Sequence, residues 1–160
     1  MFAASQWGTL RKVLRQSNDG EQRAIAATII AYTQDKREVI SDLKYAMQDP
    51  FENVRNNAIR ALWGVAALAN RKPELGIQIS PNPFILLLDP IAWSDRNKAM
   101  LVLLQLTEKH PANILGQIRD RALPQLIEMA RWKRSHALEA YMLLGRIESF
   151  RKRDREQLGH

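Results

Sequence analysis

The pattern Arg-x-x-Ala recurs along this chain at Arg23…Ala26, Arg55…Ala58, Arg96…Ala99 and Arg134…Ala137. The arginines stand 32, 41 and 38 residues apart (55−23, 96−55, 134−96). Each copy sits in or beside an apolar stretch with helical spacing. A recurrence of that length is the mark of stacked helical hairpins, none of which can bury its apolar face alone. The fullest copy is Asp49–Leu68. It opens on the turn Asp49-Pro50 and continues as a helix whose Val54, Ala58, Ala61, Leu62, Val65 and Leu68 share one face.

The rest of the chain divides around these copies. Trp7, Leu10, Val13 and Leu14 predict a first helix over 5–17. Ser17-Asn18-Asp19-Gly20 is a turn, and Asp19 can cap a helix over 21–33. That helix contains AIAATIIAY, which reads as buried on more than one side. Asp35 can cap a third helix over 36–48, with Val39, Ile40, Leu43 and Met47 inward, and Pro50 stops it. Residues 71–83 hold Pro73, Gly76, Pro81 and Pro83 and predict an irregular loop packed by Ile77 and Ile79, with a strand-like alternation at 77–79. Beyond it come a short helix over 84–88, the turn Asp89-Pro90, and a helix over 94–109 capped by Ser94. Ala99, Val102, Leu103 and Leu106 face inward there. A helix over 112–121 follows, then one over 123–130 kinked or restarted at Pro124. The last helix spans 133–150 with Ala137, Ala140, Tyr141 and Leu144 inward. The pairs are therefore about 5–34, 36–70, 83–110 and 112–150, in one domain of residues 1–150 with a charged, fraying tail over 151–160.

Composition narrows the chemistry. There is no cysteine and only three histidines. A disulfide framework, a thiolate metal site and a cysteine nucleophile are thereby excluded, and no metal or other cofactor is expected. No glycine-rich phosphate loop, HExxH or Gly-x-Ser-x-Gly occurs. His136 and Glu139 are one helical turn apart and read as a surface pair rather than an acid–base couple. No eighteen-residue apolar run is present to span a membrane. The first residues lack the pattern of a secretion signal, and a reducing, cytoplasmic setting is the expectation.

These features resemble the HEAT repeat family, in its bacterial, phycobilisome-lyase-type HEAT-like form. Asp49, Pro50, Val54, Arg55, Ala58 and Ala61 match the family's second-helix pattern throughout. Arg96 and Ala99 match with Asp95 in place of valine, and Arg134, Ala137 and Ala140 match without the Asp-Pro turn. The first pair keeps Asp19, Arg23 and Ala26. The resemblance implies an all-α solenoid of about four helix pairs. It also implies that Arg23, Arg55, Arg96 and Arg134 are structural, bonded to aspartates or carbonyls at helix starts. A non-enzymatic scaffold for a protein or peptide partner is the role it favours. The family also includes lyases and DNA glycosylase-type enzymes.

Two surfaces are candidates for binding. On the second helices, positions one, five and eight after each arginine face away from the core. They are Ala24, Thr28 and Ala31; Asn56, Arg60 and Trp63; Asn97, Leu101 and Leu104; and Ser135, Glu139 and Met142. A groove for a partner would be lined by Trp63, Arg60, Leu101, Leu104 and Met142. The alternative is that these side chains pack between repeats or under the 71–83 loop. The second surface is basic. The formal charge is +7, and residues 131–155 hold eight basic and three acidic residues. Arg131, Trp132, Lys133, Arg134, Arg146, Arg151, Lys152, Arg153 and Arg155 are therefore candidates for nucleic acid, with Trp93 and Trp132 able to stack. Equally, Trp93 and Trp132 can close core edges, and the last cations can form an ordinary solvated helix end.

Overall fold

The computed structural model describes residues 6–89 and 92–158, leaving aside the side chains of 134–136 and 153–158. Among the described residues there are eight α-helices and no strand. They group into two compact units, residues 1–79 and 80–160.

In the first unit, α1 (Trp7–Gln16), α2 (Gly20–Ile30), α3 (Lys36–Ala46) and α4 (Glu52–Arg71) form two hairpins, followed by a short 3-10 turn, Pro73–Leu75. The second helices α2 and α4 pack on each other, and α1 packs on α3. The N-terminus of α2 is capped by Asp19, whose carboxylate accepts from the Glu21 and Gln22 N–H groups. That of α3 is capped by Asp35, which accepts from Arg37 and Glu38. Both satisfy donors that a helix start leaves open. The core is Leu14, Ala24, Ala27, Ile30, Val39, Leu43, Val54, Ala58, Ile59 and Leu62, with smaller neighbours between. Alanines at 24 and 27 let α2 and α4 approach closely. Gly20 does the same at the turn: a Cβ there would stand 2.6 Å from the Phe51 ring, so no larger residue fits without moving the ring. At the other end Gly76 takes a left-handed φ of 60°, which glycine adopts freely.

The second unit repeats the arrangement. It contains α5 (Asn82–Leu86), α6 (Trp93–Leu106), α7 (Ala112–Met129) and α8 (Arg134–Leu158). Here α6 packs on α8 and α5 on α7. Phe84, Leu88, Met100, Leu103, Leu115, Ile118, Leu126, Ala140 and Leu143 form its core.

Several expectations are corrected. α7 runs unbroken through Pro124, because that proline is exposed and the carbonyl it leaves without a ladder partner, on exposed Asp120, can reach water. Ser94 does not cap α6; the helix begins at Trp93 after an extended Ala92, with no side-chain cap. The last helix continues to Leu158 rather than fraying after 150; residues 151–158 contain no glycine or proline to stop it. Tyr141 points outward at 60% exposure, while Leu143 and Ile147 take the inward places. The AIAATIIAY stretch is buried on one side only: Ala24, Ala26, Ala27 and Ile30 are covered, and Ile25, Ile29 and Tyr32 are bare. In α1 only Leu14 is fully buried. Ala61, Leu68, Leu106 and Leu144 are half-buried. Ile77–Ile79 form no strand, although Ile79 does pack. The Asp89-Pro90 turn lies outside the described residues at Pro90.

Candidate functional site

In the first unit, the bare side of α2 and the bare side of α4 leave a cleft of about 500 Å³ between them. Thr28 comes from α2 and Ala31 and Tyr32 from the turn that follows it; Arg60, Trp63, Gly64, Leu68 and Arg71 come from α4. Tyr32 is 78% exposed and Trp63 41%, so two aromatic rings edge the opening. Asn57 donates its side-chain N–H to the Ala24 carbonyl at 3.0 Å and fixes one helix against the other at one end. Lys36 closes the far end. Its ammonium donates to the carbonyls of Ala31 (2.8 Å) and Thr33 at the C-terminal end of α2. Such a cation complements the negative end of the helix dipole. Burial pushes the Lys36 ammonium below its ordinary value.

A second cleft, of about 600 Å³, lies between the first turn of α3 and the 75–78 backbone. The first N–H groups of α3 are already taken by the Asp35 carboxylate.

The repeated arginines are engaged in structure. Arg23 donates to both oxygens of Asp49, at 2.8 and 2.9 Å, and to the Ser17 carbonyl at 2.8 Å. Arg55 donates to the carbonyls of Asp49 (2.9 Å) and Pro50 (3.1 Å). Arg96 reaches both oxygens of Glu128, at 3.0 and 2.8 Å. Arg134 lies outside the described side chains. A further pair joins α1 to α3: the fully buried Asp42 accepts from Arg11 at 3.0 Å and from Arg15 at 2.7 Å. Nothing at the sequence level singled out Asp42, since its partners lie 31 and 27 residues away.

Residues 9–73 match the family model described as HEAT repeats. The match spans both hairpins of the first unit, with Asp49, Arg55 and the α2–α4 cleft inside it. The first unit carries HEAT repeats. No curated protein matches it. HEAT repeats generally serve as protein-interaction scaffolds and are typically non-enzymatic. No helix among the described residues is long and apolar enough to cross a membrane. No cluster of metal-ligating side chains occurs among them either.

Within the HEAT-repeat unit, Trp63 and Arg60 both line the cleft. Tyr32 and Arg71 were missed. Tyr32 was hidden in an apolar run. Arg71 could have been found by counting, because it lies eleven residues (71−60) or about three turns beyond Arg60 on the same side of α4. Ala24, assigned to the outer face, is buried.

In the second unit, Leu104 is 9% exposed and belongs to the core, which corrects its assignment to a groove. Arg146 of α8 donates to the Leu104 carbonyl at 2.6 Å and to Thr107 at 2.8 Å, so α8 covers this end of α6. Leu101 is half-buried and Met142 is exposed.

The basic candidates are likewise divided. Arg146 is committed to α6 and is removed from the phosphate-binding set. Arg151 pairs with Glu148 at 3.0 Å. Arg131, Lys133 and Lys152 are exposed, and the Arg153 and Arg155 side chains lie outside the description. Trp93 and Trp132 meet with ring centroids 6.4 Å apart. The Arg96 guanidinium stands over the Trp132 ring at 4.9 Å. Arg96 and the Trp132 side chain both hold the Glu128 carboxyl below its usual range, the arginine bond first and burial opposing. Trp132 is thus largely used in closing the α6–α7 edge. His136, half of the His136–Glu139 pair, falls outside the described side chains.

Proposed function

We propose that this HEAT-repeat chain is an interaction module that docks a protein or peptide partner on the α2–α4 face of its first unit. The supporting observation is the exposed Tyr32 and Trp63 at the rim of a preformed cleft floored by small and apolar side chains. Exposed aromatics around a concave, partly apolar surface are the usual anchors of a partner. Ile25 and Ile29 extend the same bare side of α2. The test is site-specific photo-crosslinking in the source cells, with a benzophenone residue at position 32 or 63 and a control at exposed Lys44 of α3. A discrete adduct at 32 and 63 and none at 44 supports the reading. Equal labelling at all three positions overturns it.

A second reading places nucleic acid at the turn before α8, where Arg131 and Lys133 are exposed beside Trp93. Fluorescence anisotropy with labelled duplex and single-stranded DNA decides it. Support would be binding that falls steeply with salt and is lost in the Arg131→Glu/Lys133→Glu variant.

A further inference from the structure

The cleft is not electrically neutral. Its lining includes Lys36, Arg60 and Arg71 and no carboxylate. Lys36 is occupied by the Ala31 and Thr33 carbonyls. Arg60 and Arg71 are exposed and make no hydrogen bond or ion pair with the described residues. This sets them apart from Arg11, Arg15, Arg23 and Arg96, each of which has a carboxylate within 3.0 Å. Two uncompensated guanidinium groups thus share one side of α4, about 16 Å apart along the axis at 1.5 Å per residue. Between them lie Trp63, Gly64 and Leu68. Gly64 is exposed, and a Cβ there would meet no atom within 4 Å. At that point the floor of the cleft is bare backbone.

We infer that the α2–α4 cleft takes an acidic, amphipathic peptide segment whose apolar side chains lie against Trp63, Gly64 and Leu68 while carboxylates on either side of them meet Arg60 and Arg71. The inference rests on the docking reading above and adds the partner's chemistry. Guanidinium groups favour carboxylates through paired N–H donors. A basic segment would meet two like charges with no acid to offset them. An apolar segment without charge would leave both arginines half-desolvated and unpaired, which costs free energy. The spacing also sets the ligand: carboxylates about three turns apart in a helix, or four to six residues apart in an extended segment at about 3.3 Å per residue. Nucleic acid is the less favoured occupant, because the floor is apolar and only two cations are free.

The experiment is selection of a random dodecapeptide display library on the intact chain, followed by anisotropy with synthetic copies of the enriched peptides. Expected are peptides with Asp or Glu on both sides of an apolar stretch. Their binding should weaken about tenfold in the Arg60→Glu/Arg71→Glu variant through charge reversal, weaken with salt, and be lost in Gly64→Leu, which fills the cleft. All three sites are exposed, so each variant should fold, and circular dichroism checks that it does. Apolar peptides without acidic bias, insensitive to the double reversal but lost in Gly64→Leu, would overturn the acidic partner and leave the docking face standing. Peptides indifferent to every variant, or no enrichment over the starting library, would overturn both. Displacement of the peptide by an equal concentration of a twelve-nucleotide oligothymidine would overturn the acidic partner and assign the arginines to phosphates.

Discussion

Arg23 at the start of α2 and Asp49 in the turn before α4 are joined by two parallel bonds of 2.8 and 2.9 Å, although they lie 26 residues apart. Both side chains are largely covered, at 15% and 8% exposure. Asp49 also accepts from the Phe51 N–H at 2.8 Å, which shapes its own turn. Removing the carboxylate therefore loosens a turn and strands an arginine together. Asp49→Ala should cost about 2 kcal/mol, the range of hydrogen bonds to charged groups. The shift of the urea midpoint at constant slope measures it. Arg23→Lys should fall between, since an ammonium cannot make the paired contact.

The same pair sets an acid limit. Asp49 is held below its ordinary value of 3.8, first by the Arg23 bond and then by the Phe51 N–H, against burial. The folded state takes up its proton less readily than the unfolded chain. The pair's contribution is then complete above the unfolded value and is lost as pH falls through the lower folded one. Thermal melts taken from pH 6 downward should decline below about pH 4. In Asp49→Asn that decline should be shallower. Glu128 and Asp120 are also lowered, but both are exposed and add little.

Gly64 is a glycine inside a twenty-residue helix, with open space where its Cβ would be. Gly64→Ala should therefore raise stability by about 1 kcal/mol, the difference in helix propensity. A higher melting temperature checks this. A fall would show a packing demand that the open surroundings do not suggest.

Leu104 and Trp63 occupy equivalent positions on α6 and α4, eight residues after Arg96 and Arg55. Their substitution should nevertheless differ. Leu104→Ala removes a core side chain and should cost about 2–4 kcal/mol. Trp63→Ser empties an exposed position and should cost under about 1 kcal/mol. Chemical denaturation of both variants separates them. Comparable losses would place Trp63 in the core and remove the aromatic rim from the cleft.

His110 adopts a left-handed φ of 53° after the end of α6. A non-glycine residue there carries about 1 kcal/mol of strain. His110→Gly should recover part of it, read as a small rise in the urea midpoint.

These contrasts show what local pattern reveals. Asp19 and Asp35 as caps were legible because their bonds close within a few residues, and the structural role of Arg23 and Arg55 was what the family resemblance implied. The all-helical, repetitive character was legible from the recurrence of Arg-x-x-Ala. The pattern was not unambiguous: Arg119…Ala122 repeats it on α7, and Arg119 bonds its neighbour Asp120 at 2.7 Å. Periodicity also assigned Leu104 and Trp63 the same environment. It carried no information on Arg146, which reaches α6 from 42 residues away. Trp93 and Trp132, Arg96 and Glu128, and Asp42 with its two arginines are likewise made by stacking rather than by spacing. In the cleft, Trp63 was visible as an out-of-place residue on a solvated face, and Arg60 as its neighbour on that face. Tyr32 was not, because an apolar run reads as core until a neighbouring helix leaves one side of it bare.

Asp49 is used twice over. Its carboxylate holds the arginine of the preceding hairpin, and its backbone carbonyl holds Arg55 of its own. The two contacts fix the residue in position and in orientation. One extra residue in the 47–51 turn would swing the carboxylate away from Arg23 or the carbonyl away from Arg55. No such double tie exists at 72–76, where every residue is exposed. Length variation in descendants of this gene should accordingly collect at 72–76, while the span from Arg23 to Arg55 is inherited as a fixed number of residues.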